Sequence, residues 1–140
     1  MNREKIENVL MEMCMPCGIK GFKYIVDAVE YIDEHGENIS VTKQLYPDIA
    51  KKNDTTSSKV ERAIRHAFET VRGKKEKYDV VEKYIGFENC SNFSSLIMLT
   101  KKIKREETRL EHTDEATEKI REIVRRELSI VLNELKGVAK

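Results

Sequence analysis

Tryptophan is missing from this chain of 140 residues, and prolines number two, cysteines three and glycines six. With so few helix breakers, and with 39% hydrophobic and 36% charged residues, the composition favours a helical, soluble protein. No apolar run approaches the roughly 20 residues of a membrane span. Residues 1–7 lack the apolar core of a signal peptide, so the chain is expected in the cytoplasm. The length suits one domain with a proper core.

The cysteines also limit the chemistry. Cys14 and Cys17 form a C-x-x-C pair, which is redox-active or half a zinc site in other settings. A zinc ribbon needs a second pair, but the remaining cysteine is Cys90 and the histidines at 35, 66 and 112 are scattered. A thioredoxin-like motif opens a helix, whereas this one closes a helix, so structural residues are favoured and no metal or cofactor is expected. Neither a Ser-His-Asp arrangement, a phosphate-cradling glycine loop nor a carboxylate pair stands out, and no enzyme is expected.

Net charge is only +1, which argues against a nucleic-acid partner until its distribution is examined. Residues 1–50 carry 5 basic and 9 acidic side chains, residues 51–105 carry 14 and 7, and residues 106–140 carry 7 and 9. The positive charge is concentrated on the middle segment, as on a phosphate-facing surface. The alternative is a lysine-rich solvated face.

That segment begins at a helix-turn-helix pattern. Pro47 suits the start of a short helix carrying Ile49 and Ala50, and residues 53–56 break it and supply oxygens to cap the next. Along the second helix, about residues 57–72, Val60, Ile64, Ala67 and Val71 share one narrow sector at about 100° per residue. Ser58, Arg62, Arg65 and Glu69 point the other way, with Glu61 and His66 on the shoulders. A recognition helix entering the major groove has this build, although any amphipathic helical hairpin also has a charged face. The reading requires that the guanidinium groups of Arg62 and Arg65 are not locked into internal ion pairs.

Elsewhere the spacing predicts helices over residues 3–15, with Ile6, Val9, Leu10 and Met13 on one side, and from about 21 to 35, with Gly36 as C-cap. Residues 39–45 form a β-branched connector, either a brief helix or extended. Further helices are expected over 78–85 and 93–105. Thr113 then suits the N-cap of a separate helix to residue 136, with Asp114 and Glu115 in its first turn. Ile120, Val124, Leu128, Val131 and Leu135, joined by Ala116 and Ile123, give that helix a broad apolar stripe that must find a partner surface. The candidates are its own domain or a second copy, in a homodimer.

Three strings carry a family resemblance: GIKGFKY from Gly18 to Tyr24, TKQLYPDIAKK from Thr42 to Lys52, and TTSSKVERAIRH from Thr55 to His66. Over about residues 6–104 the chain resembles the C-terminal effector domain of the sporulation master response regulator of endospore-forming Firmicutes. The resemblance implies an all-α fold, a compact multi-helix bundle containing a helix-turn-helix, here followed by a long C-terminal amphipathic helix. It implies a domain over 1–105, with 106–140 as an added extension. It also implies a sequence-specific transcriptional regulator that reads a TGTCGAA-like box in double-stranded DNA through the helix at 57–72. Carried across, Glu61, Arg62, Arg65 and His66 would read bases, while Thr55, Thr56, Ser58 and Lys59 would hold the backbone.

The chemistry agrees independently: Arg grips guanine O6 and N7, and Glu accepts from cytosine N4, which suits a CG step. Two local alternatives stand beside this. Ser58 to Glu61 also fits a capping box that would fold the carboxylate back onto the helix start. His66 equally fits a shoulder contact to phosphate or water. The family's turn near residue 16 has a proline but no cysteines. Its full-length protein carries a phosphorylated receiver domain before the effector domain, and none precedes residue 1 in this sequence. The expectation is that the C-terminal helix replaces it by pairing two modules. A second reading of the whole is a protein–protein module that contacts RNA polymerase or another regulator without reading DNA.

Overall fold

The computed structural model describes residues 1–138 and is all-α, with no strand among the described residues. In order, the helices are α1 (Arg3–Glu12), α2 (Lys20–His35), α3 (Tyr46–Lys52), α4 (Ser57–Gly73), α5 (Tyr78–Tyr84) and α6 (Asn92–Val138). A π-helical turn at Val41–Leu45 leads into α3, and a 3₁₀ turn at Lys75–Lys77 leads into α5. The chain divides into two compact units, Met1–Arg105 and Glu106–Lys140.

In the first unit, α1 ends three residues before the expected boundary. Cys14 takes a left-handed φ of 61°, and its N–H and that of Met15 turn back onto the carbonyls of Met11 and Leu10 at 2.9 and 3.0 Å. This is a Schellman closure, made without glycine. Lys74 Nζ donates to the Cys14 carbonyl at 2.7 Å, so the first cysteine of the C-x-x-C is held by its backbone.

The central element is α2, whose Phe22, Ile25, Val26, Ala28, Val29 and Ile32 are all buried. It packs on α1, α3 and α4, and Gly36 ends it at φ 82°. The crossing of α2 over α4 depends on Gly21. A Cβ built there would run into the Ala63 carbonyl oxygen and come within 2.7 Å of the Ala67 Cβ. Two helix backbones approach that closely only where one side chain is absent.

Asp27, on α2, is almost wholly buried and gathers three elements. It accepts from Arg3 Nη1 of α1 at 2.9 Å, from Lys52 Nζ of α3 at 3.2 Å and from Asn53 Nδ2 at 2.9 Å. Burial alone would raise its pKa, but the donors from Asn53, Arg3 and Lys52 outweigh burial and hold it below the usual carboxylate range.

Helix α6 departs from the sequence expectation. It runs unbroken for 47 residues, so the helix expected to stop near Arg105 and the one expected to start at Thr113 are one element. Thr113 is no cap: its hydroxyl donates to the Arg109 carbonyl at 2.9 Å, and that of Thr117 donates to the Thr113 carbonyl at 2.8 Å. The linking residues contain no glycine or proline, and ion pairs such as Arg109–Glu106 at 3.2 Å support the turn. Leu96, Leu99 and Ile103 are buried in the first unit. In the second unit, Ile120, Val124, Leu128, Val131 and Leu135 are between 51% and 62% exposed.

Candidate nucleic-acid interface

The site is built on α4 and the turn before it. Helix α3 closes through Asp54, whose φ is 51°, with the Thr55 N–H reaching back to the Ala50 carbonyl at 2.9 Å. Asn53 Nδ2 also donates to the Ile49 carbonyl at 2.9 Å, so one amide holds both the end of α3 and the buried Asp27. Thr56 then caps α4, its Oγ1 accepting the Lys59 N–H at 3.3 Å. The cap is therefore Thr56 and not Ser58, and Glu61 is not turned back onto the helix start.

The inward face of α4 is fully packed. Val60, Ile64, Ala67 and Val71 are completely buried and Phe68 nearly so. At about 1.5–3 kcal/mol for each large side chain, this face fixes the helix far more firmly than any surface contact. From behind, Asn92 Nδ2 at the start of α6 donates to the Glu61 carbonyl at 3.0 Å and to the Tyr46 hydroxyl at 3.1 Å. These bonds tie α6, α4 and α3 together. Burial raises the Tyr46 pKa, and the nearby Glu61 carboxylate adds to the shift.

On the outward face, Ser58, Lys59, Arg62, Arg65, His66 and Glu69 are exposed, with Glu61 and Thr55 half-buried and Thr56 exposed. No hydrogen bond or ion pair holds the Arg62 guanidinium among the described residues. Arg65 Nη1 meets Glu61 Oε1 at 2.9 Å, in a pair whose side chains are 53% and 34% exposed. An exposed i,i+4 pair of this kind is worth about 0.3–0.5 kcal/mol, little enough for either partner to be exchanged for a base edge or phosphate. Ser58 and Glu61 also line a shallow cavity of about 220 Å³ with Thr42, Tyr46 and Ser57.

Arg72, at the end of the same helix, behaves differently. Its Nε donates to the Gly86 carbonyl at 2.9 Å and its Nη2 to Ser95 Oγ at 2.7 Å, with its cation 5.7 Å from the centre of the Phe68 ring. Burial lowers its pKa. This arginine fastens α4 to the Gly86 turn and α6, a role that charge counting along the helix does not distinguish from an outward-facing one.

The Asp27 cluster was likewise not legible as a set, because its partners lie 24 to 26 positions from Asp27, on either side of it. The available signal was a carboxylate in the run Val26, Asp27, Ala28, Val29, where the helix is buried nearly all round. No helix among the described residues is long and apolar enough to cross a membrane.

A packed inner face, a capped and pinned entry turn and an outer face of exposed cations are what a DNA-binding helix-turn-helix requires. The model of the family described as sporulation initiation factor Spo0A C terminal matches residues 6–103, and the chain belongs to that family of DNA-binding regulatory domains.

Proposed function

We propose that the chain is a sequence-specific transcriptional regulator that lays α4 in the major groove of double-stranded DNA and reads a TGTCGAA-like box. Arg62 grips guanine, Glu61 accepts from cytosine N4, and Arg65 and His66 extend the reading along the helix. Thr55, Thr56, Ser58 and Lys59 hold the phosphate backbone. The observation that carries the reading is the exposed Arg62, unpartnered among the described residues, on the face opposite the fully buried Val60, Ile64 and Val71. Such a protein works in the cytoplasm, without a cofactor and without catalysis.

The second unit pairs two copies through Ile120, Val124, Leu128, Val131 and Leu135. Eight large apolar side chains between residues 120 and 135 are 47% to 62% exposed. Five of them, Ile120, Val124, Leu128, Val131 and Leu135, share one side of the helix, and a stripe of that kind is what a second copy can cover.

The test is binding of box-containing and scrambled duplexes across a salt series. The reading predicts a preference for the box that Arg62→Ala reduces by roughly 5- to 150-fold, the equivalent of about 1–3 kcal/mol. Lys59→Ala weakens both duplexes alike and makes the salt slope shallower. Equal affinity for the two duplexes would favour a protein–protein contact module, with RNA polymerase or another regulator as partner.

A further inference from the structure

The string from Gly18 to Tyr24 takes no part in the helix-turn-helix, yet α2 begins within it and brings two of its lysines to the entry of α4. Lys20, Lys23 and Tyr24 of α2, with Asn53, Asp54, Thr55 and Lys59, line an open cavity of about 310 Å³. All three lysines are exposed, and among the described residues none of their ammonium groups is held by an ion pair or hydrogen bond. The single carboxylate on the rim is Asp54, so three cations face one anion. Lys20 opens α2 and Lys23 follows one turn on, with no acidic residue in that first turn. Cations at the positive end of a helix dipole are unfavourable unless an anion sits between them.

We propose that this cavity seats a backbone phosphate of the same DNA duplex, with Lys20 and Lys23 as phosphate contacts additional to Lys59. The inference rests on the DNA-binding reading of α4 and extends its footprint onto α2. The backbone would then be held by α2 as well as by the reading helix itself, and Asn53, which lines the cavity, is already fixed by Asp27. The contact carries no sequence information, since every phosphate is alike.

The experiment compares the full chain with Lys20→Gln, Lys23→Gln, their double variant, Lys20→Arg/Lys23→Arg and a control, Lys83→Gln on α5. Box-containing and scrambled duplexes are titrated from about 50 to 200 mM salt, and far-UV circular dichroism verifies that each variant is folded. Each Gln substitution is expected to weaken both duplexes by roughly threefold at low salt and to reduce the log–log salt slope by about 0.9. The ratio between duplexes should not change, and the Arg pair should restore affinity and slope.

Unchanged affinity and slope in the double Gln variant would overturn the phosphate seat while leaving the reading of α4 intact. Equal loss in Lys83→Gln would also overturn it, as an effect of net charge alone. If the wild type prefers neither duplex yet the Gln variants still flatten the slope, the seat stands and base reading fails. Absence of any binding by the wild type would sink both.

Discussion

Asn53 Nδ2 donates at 2.9 Å to Asp27 Oδ2, and the same nitrogen reaches the Ile49 carbonyl at 2.9 Å. Through this amide the buried carboxylate of α2 sets where α3 stops and where α4 starts. The placement of α4 thus depends on a residue 29 positions before its cap, Asp27 to Thr56. Helix-turn-helix geometry is usually credited to the turn itself; in this protein the turn is anchored from below.

The anchor makes stability depend on acid. The folded pKa of Asp27 lies below its unfolded value, so its contribution is present above about pH 4 and is lost as pH falls through the folded value. Asp27→Asn should cost about 1–3 kcal/mol at pH 7. The lower range applies because Arg3 and Lys52 are 37% and 57% exposed and regain water once the carboxylate is gone. Urea unfolding of wild type and variant between pH 7 and pH 3 measures it. The gap between them should narrow toward acid, and a gap constant with pH would contradict the assignment.

Gly21 lies within α2 and Gly18 in the turn before it, and alanine separates them. At Gly21 the added methyl meets the Ala63 backbone and the Ala67 side chain, while at Gly18 nothing lies within 4 Å. Gly21→Ala should destabilise by about 1–3 kcal/mol by forcing α2 and α4 apart. Gly18→Ala should stay within about 0.5 kcal/mol of wild type. Thermal melts of the two variants decide this, and equal midpoints would show that the crossing relaxes freely.

Two arginines on α4 should fail differently. Arg72→Leu leaves the Gly86 carbonyl and Ser95 hydroxyl without their donor and is expected to cost about 2–4 kcal/mol of folding stability. Arg62→Ala breaks no bond within the described residues and should leave the melting temperature nearly unchanged while reducing box preference. Calorimetry alongside duplex binding separates the roles; a large stability loss in Arg62→Ala would count against its outward function.

For the second unit, Leu128→Asp with Val131→Asp places two charges in the stripe. Sedimentation of the full chain should give a dimer mass for wild type and a monomer mass for the variant. Removal of residues 106–140 should have the same effect. Identical monomer masses for all three would end the pairing proposal.

Helix periodicity made α2 and α4 legible: their apolar positions repeat at 3.6 residues, and Gly36 and Thr56 mark their ends by local chemistry. The same local logic misplaced a boundary at Thr113. A threonine followed by two acids looks like a cap, but with no breaker nearby the helix propagates through it and the hydroxyl bonds to the preceding turn. Cys14 shows the opposite failure, since nothing in its own residue type foretells a left-handed closing position.

By itself, then, the amino-acid order determined the all-α class, which side of each helix is apolar and which cations crowd onto residues 51–105, because these follow from neighbours a few positions apart. Only the folded arrangement decided that Arg72 faces inward, that Gly21 carries the close crossing and that Lys20 and Lys23 stand beside Lys59. Those facts join residues 14 to 46 positions apart, and packing, unlike periodicity, is settled only when distant segments compete for the same space.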